Sequence, residues 1–214
     1  MIPPLPSSWK ELRHRQSVNK LLNDCWNRDD GFRVSSAEEL QTVDNTADSD
    51  YYTPSTYGEV TPLGARQLFH QMGMRNRRDI AFFDLGSGAG KLVVQARLEL
   101  MLTHARGIEL AKSRHDAALR ALAKVRQIEA ETLVELMEGD LFGMDLSGAT
   151  HVYVSSLCFD PGAMKRLGEK LQEASNLKCV ASLREIPGFG NPVVRYIEMS
   201  WTKPKGLPVY FYYL

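Results

Sequence analysis

Apolar residues at Trp9, Leu12, Val18, Leu21, Leu22 and Cys25 recur at helical spacing and predict a helix over residues 8–27. Ser8 and Glu11 stand three apart at its start, the spacing of a capping box. The pattern then breaks. Residues 28–50 hold seven acids against two arginines, with only a short apolar recurrence at 37–42 that could be helical. This stretch reads as a linker or mobile cover, or alternatively as an acidic surface for a basic partner. Thr61 and Pro62 supply an N-cap and a first-turn residue for a helix through Leu68 and Phe69. From residue 80 the period changes. Apolar runs at 80–83, 105–108, 132–137, 151–155 and 178–183 predict strands. Helical patterns at 92–98, 111–129 and 163–174 fall between them. Runs at 193–201 and 207–213 flank Lys203, Pro204, Lys205 and Gly206, a hairpin signal. Alternating strand–helix units closed by an antiparallel hairpin form a Rossmann-like α/β layout. The expected division is a helical N-terminal appendage with an acidic linker over 1–50 and a catalytic domain over 51–214.

The turn after the first predicted strand carries the most chemistry: Asp84, Leu85, Gly86, Ser87, Gly88, Ala89, Gly90. A phosphate-binding loop needs glycines five apart followed by Lys and a hydroxyl residue. Here Leu85 lies five before Gly90, and Leu92 follows Lys91. A dinucleotide fingerprint places its third glycine three after the second, whereas Gly90 comes two after Gly88. The remaining ligand reading is an S-adenosylmethionine turn. Its glycines let the backbone pass close beneath a ligand, and a strand-tip carboxylate faces the ligand's ammonium group. A purely structural βα turn is the alternative for this stretch taken alone. Glu109 ends the second strand twenty-one residues beyond Gly88, the separation at which a βαβ unit offers an acid to ribose hydroxyls. Asp140 follows the third strand, where it can accept from the adenine amine while Leu141 or Phe142 covers the ring. The fourth strand ends in Ser155, Ser156, Leu157, Cys158, Phe159 and Asp160, at the edge where open α/β sheets hold their ligands.

Composition narrows the partners. Lys plus Arg and Asp plus Glu are each 26, so no global field draws the chain to nucleic acid. Cys25, Cys158 and Cys179 are scattered and form no Cys-x-x-Cys, which reads as buried thiols in a reducing intracellular compartment. No apolar run reaches membrane-span length, and the first residues lack a signal peptide's charged and apolar regions. No metal-ligand spacing occurs.

Tyr57-Gly58-Glu59, residues 84–90, Gly107-Ile108-Glu109, Gly139-Asp140-Leu141-Phe142 and residues 152–160 occur in that order. Together they resemble the disruptor-of-telomeric-silencing family, histone lysine methyltransferases built on a class I rather than a SET fold, in its compact protist form. The resemblance spans roughly residues 51–213. It implies a cofactor set of Tyr57, Glu59, Thr61, Asp84, Gly86, Gly88, Lys91, Glu109, Asp140 and Leu141. Tyr57 and Glu59 would lie over the methionine part, Asp84 and Gly86 at its ammonium and carboxylate end. It also implies an acceptor channel walled by Tyr57, Ser155, Ser156 and Phe159. The implied partner is a nucleosome offering a lysine of histone H3 to a nuclear monomer, with weak DNA contact at most. Three departures stand out: Val60 in place of the family's threonine, Lys91 in place of glutamine, and serines 155 and 156 in place of paired asparagines. A methyltransferase for a non-histone protein or small metabolite is the second reading, and a non-catalytic cofactor-binding scaffold the third.

Overall fold

A computed structural model describes residues 6–27, 30–31, 58–75, 77–202 and 205–214. Tyr57, the expected linker except for Asp30 and Gly31, its short helix at 37–42, and Lys203 and Pro204 of the hairpin turn lie outside these residues.

The first helix, α1 (Trp9–Cys25), starts where expected, with Ser8 Oγ accepting from the Glu11 amide at 3.2 Å. The reciprocal half of the cap is shifted by one residue: the Glu11 carboxylate takes the amide and hydroxyl of Ser7. Helix α2 (Pro62–Gln71) begins at Pro62 behind the N-cap Thr61. The remaining elements are β1 (Ala81–Leu85), α3 (Lys91–Glu99), β2 (His104–Glu109), α4 (Lys112–Ile128), β3 (Glu135–Glu138) and β4 (His151–Val154). They continue with α5 (Pro161–Gln172), β5 (Cys179–Ser182), β6 (Val193–Ile197) and β7 (Leu207–Tyr213).

One seven-stranded sheet has the order β3-β2-β1-β4-β5-β7-β6. The first five strands are parallel, while β7 runs antiparallel to both β5 and β6. The expected α/β sheet with its closing hairpin is therefore present. Pleat alternation divides the core. Phe82 faces a layer containing Leu22, Leu68, Phe69 and Val93, whereas Phe83 faces Met164, Leu167 and Leu171 of α5. Burying each such ring or branched side chain contributes about 1.5–3 kcal/mol. Helix α1 shares the first layer through Val18, Leu21, Leu22 and Cys25.

Three of the shifted boundaries have a visible local cause or consequence. Strand β3 starts three residues late because the Thr132 amide and hydroxyl both close a turn on the Glu129 carbonyl. Strand β6 stops at Ile197, and Met199 instead bridges to Val60 outside the sheet's named strands. Asp160 is the N-cap of α5, its Oδ1 accepting from the Ala163 amide.

Candidate functional site

The carboxyl ends of β1, β2, β3 and β4 surround a cavity of about 180 Å³, whose lining includes Glu59, Asp84, Gly86, Gly88, Lys91, Glu109, Asp140, Leu141, Ser155 and Phe159. The parallel order β2-β1-β4 puts the crossover reversal beside β1, where such sheets open a crevice.

The glycine-rich turn is held from below. Gly86 and Ser87 both donate their amides to the Ile108 carbonyl at 2.9 Å, and the Gly88 amide donates to Glu109 Oε2 at 2.8 Å. Gly86, Gly88 and Gly90 all have positive φ, between 54° and 85°, a backbone region that side chains strongly disfavour. Gly107 of β2 lets this turn approach: a Cβ there would lie 2.7 Å from that of Ser87. Glu109 thus does more than offer an oxygen to a ligand. Its second oxygen accepts from the Ala111 amide at 3.0 Å, with the Arg114 guanidinium 3.9 Å away.

Asp84 is the fourth of five β1 residues and only 2% exposed. Its Oδ1 has no hydrogen-bond partner among the described residues. Burial, reinforced by the negative charge of Glu109, pushes its pKa well above the usual carboxylate range. A buried, ionisable carboxyl group with an unpartnered oxygen on a cavity wall suits a cationic donor. The ammonium of S-adenosylmethionine is such a group, so the residues present fit that cofactor.

Around this centre, the Lys91 ammonium stands 3.2 Å from Glu59 Oε2, joining the start of α3 to the segment before α2. Glu59 is fixed by its backbone as well, its carbonyl accepting from the Ser200 amide and its amide donating to the Ser200 hydroxyl. Asp140 caps the following turn by accepting from the Phe142 amide at 3.0 Å, and the Arg166 guanidinium lies 3.9 Å over the Phe142 ring.

Two expected site residues are not brought to the cavity. Ser156 is fully buried, with its hydroxyl 2.7 Å from that of Ser182 and accepting from the Arg184 amide. Thr61 Oγ1 donates to Glu198 and caps α2, outside the lining. Pattern reading also passed over several wall residues. Tyr153 sits in an apolar run and reads as core. It is in register with Asp84 and lines the cavity, its hydroxyl bonded to Ser155 and its pKa raised by burial and by Asp84. Arg114 and Cys158 also line the cavity, with burial raising the thiol pKa. At the mouth, the Trp201 ring fills the space a Cβ on Gly58 would take. The available signal was Trp201, an aromatic ending the apolar run at 193–201. Among the described residues no helix is long and apolar enough to cross a membrane, and no cluster of ligands could hold a metal.

The profile of the family described as histone methylation protein DOT1 matches residues 37–191. No curated protein matches the sequence. Among solved structures, a Salinibacter ruber RNA methyltransferase bound to S-adenosylhomocysteine is 23% identical. It covers 70% of this chain and 88% of its own, with a TM-score of 0.51. The Pyrococcus horikoshii protein PH1948 is 16% identical over 93% and 97% of the two chains, with a TM-score of 0.54. Magnesium protoporphyrin IX methyltransferase from Synechocystis, with bound S-adenosylmethionine, is 12% identical over 97% and 98%, with a TM-score of 0.53. At such identities the likeness establishes the fold alone. The family match is broader evidence, because it spans the glycine-rich turn and all three strand-tip acids. The chain belongs to the DOT1 histone methylation protein family, as a class I S-adenosylmethionine-dependent methyltransferase.

Proposed function

We propose that this chain methylates the ε-amino group of a lysine on a nucleosomal histone, histone H3 being the family's implied substrate. The observation that carries the reading is the family match over residues 37–191, which includes Asp84, Glu109 and Asp140 of the cavity lining. Bound S-adenosylmethionine supplies a methyl group on a positively charged sulfur. Asp84 would hold its ammonium, Glu109 the ribose and Asp140 the adenine, with Gly86 and Gly88 keeping the floor low and Leu141 and Phe142 covering the ring. Lys91, paired with Glu59, would stand beside the methionine carboxylate. Tyr57, expected over the same end of the cofactor, belongs to this proposal through the resemblance alone.

The acceptor side would be Tyr153, Ser155, Cys158 and Phe159. Ser156, held by Ser182, would position the loop that carries Ser155 and Phe159. In-line transfer needs a neutral amine, and a free lysine near pH 7.4 is neutral in only about one part in a thousand, a deficit of roughly 4 kcal/mol. Aromatic and apolar walls together with the nearby sulfonium charge disfavour the ammonium form. Catalysis would therefore rest on alignment and desolvation, with no dedicated base.

DNA would contribute little. Arg75, Arg77 and Arg78 precede β1, placing them at the amino edge of the sheet, opposite the cavity. Arg75 is paired with Glu11, and Arg77 with Asp79. Recognition would then depend on the protein surface around the lysine, in a nuclear monomer whose catalytic unit spans residues 51–214. A non-histone protein or a small metabolite is the second reading, favoured by the net charge of zero. The test is transfer from labelled cofactor to nucleosomes, free histones and cell extract, with nucleosome binding followed from about 50 to 200 mM salt. Methylated nucleosomes and a log–log salt slope shallower than about −5 are expected. Label on extract components but on no histone would select the second reading.

A further inference from the structure

We infer that Trp26 is a positioning residue for the cofactor turn, and that Cys25, Trp26 and Gly31 together brace that turn, so that cofactor affinity depends on them. Trp26 ends α1, and its ring is 5% exposed within the core layer that also contains Ala89 and Val93. Its indole Nε1–H donates to the Ala89 carbonyl at 2.7 Å. Ala89 is wholly buried and lies between Gly88 and Gly90, both left-handed. Strand β2 therefore grips the turn by its amides, through the Ile108 carbonyl and Glu109. The indole grips it by a carbonyl instead. A peptide flanked by two glycines has little conformational preference of its own, so external hydrogen bonds decide its orientation.

Two more bonds hold Cys25 and Gly31. Lys124 of α4 donates to the Cys25 carbonyl at 3.3 Å, and the buried Arg114 Nε donates to the Gly31 carbonyl at 3.1 Å. Arg114 lines the cavity and faces Glu109. The brace therefore touches the site at both the glycine turn and the ribose-side acid. Cys25, Trp26 and Gly31 lie before the first residue of the family match, which begins at 37. Nothing in that match accounts for the brace.

Trp26→Phe keeps an aromatic body in the core and removes the donor. In calorimetry with S-adenosylhomocysteine it should weaken affinity at least about fivefold. The cofactor KM should rise with kcat nearly unchanged, because the turn binds the cofactor without touching the acceptor. A stability control, Leu171→Ala, creates a cavity in the opposite layer and should keep wild-type affinity despite its own loss of melting temperature. In wild-type protein labelled with 15N-tryptophan, the Trp26 indole resonance should shift on adding S-adenosylhomocysteine. The resonance of Trp9, 77% exposed, should not. Unchanged affinity in Trp26→Phe, equal weakening in Leu171→Ala, or an unmoved Trp26 resonance on saturation would each overturn the inference. Should Trp26→Phe not fold, the wild-type resonance decides alone. Wild-type protein that binds no S-adenosylhomocysteine would instead sink the cofactor assignment.

Discussion

Replacing Asp84 with Asn should strengthen the unliganded protein and weaken cofactor binding, an opposition that few core substitutions produce. The carboxylate is 2% exposed, and Oδ1 has no partner among the described residues. An unsatisfied buried polar group costs about 1–3 kcal/mol, more when charged. Asn removes the charge and its repulsion with Glu109 but leaves a neutral polar atom in place, so a gain of at least about 1 kcal/mol is expected. For a chain of this length that is about 2–4 °C in melting temperature. The pH dependence has a definite sign. Because burial raises the folded-state pKa, the unfolded chain loses this proton first as pH rises above about 4. Wild-type stability therefore declines from there towards the raised folded value, and the Asn advantage should vanish below about pH 4. Binding goes the other way. Losing a charge-assisted bond to the ligand ammonium costs about 1.5–3 kcal/mol, a 10- to 150-fold rise in Kd. Wild-type affinity should also fall about tenfold per pH unit below the free-protein pKa of Asp84, since the ammonium requires the ionised form, whereas the Asn variant should be flat. Scanning fluorimetry and calorimetry across pH give both readouts. A variant that binds as tightly as wild type, or melts lower when unliganded, refutes the reasoning.

Gly107→Ala should lose measurable cofactor binding and several degrees of melting temperature, because its Cβ would meet Ser87 Cβ at 2.7 Å and Val93 at 3.0 Å; wild-type binding by the variant would show that the turn yields freely. His151, whose pKa burial and the Arg77 charge lower to about 4, should make stability fall as pH drops from 6.5 towards 4. The unfolded chain takes up the proton first there, at a cost of about 2 kcal/mol after solvent screening. In His151→Gln that part of the acid-unfolding profile should flatten, and an unchanged profile would assign the loss to other groups.

What the amino-acid pattern carried was whatever depends on one strand and the turn following it. Asp84, Glu109 and Asp140 were legible because parallel strands put their last residues on one edge, and the spacing from Gly88 to Glu109 is the length of one crossover. Ser156 was not legible. Its burial depends on Ser182, twenty-six residues away on β5, so adjacent serines took opposite sides of one wall. Tyr153 was hidden because a cavity-facing tyrosine in a four-residue strand fits the same apolar pattern as core. The indole bond from Trp26 to Ala89 joins residues sixty-three apart and leaves no periodic trace. The late start of β3 came from the Thr132 turn, a local bond that β propensity ignores.

Strand β7 has a consequence for synthesis. It occupies the place between β5 and β6, yet the ribosome delivers it after both. Until Leu207–Tyr213 emerges, the edge of β5, whose four residues are all buried in the finished fold, has no partner. A nascent chain at that stage carries an open apolar edge of the kind that pairs with other chains. Nor can β6 join the sheet, so the segment holding Glu59 against Ser200 cannot close. The sheet is thus sealed by a strand made after both of its neighbours: a chain cut before Leu207 would lose that seal against aggregation together with the support of Glu59 beside the cavity.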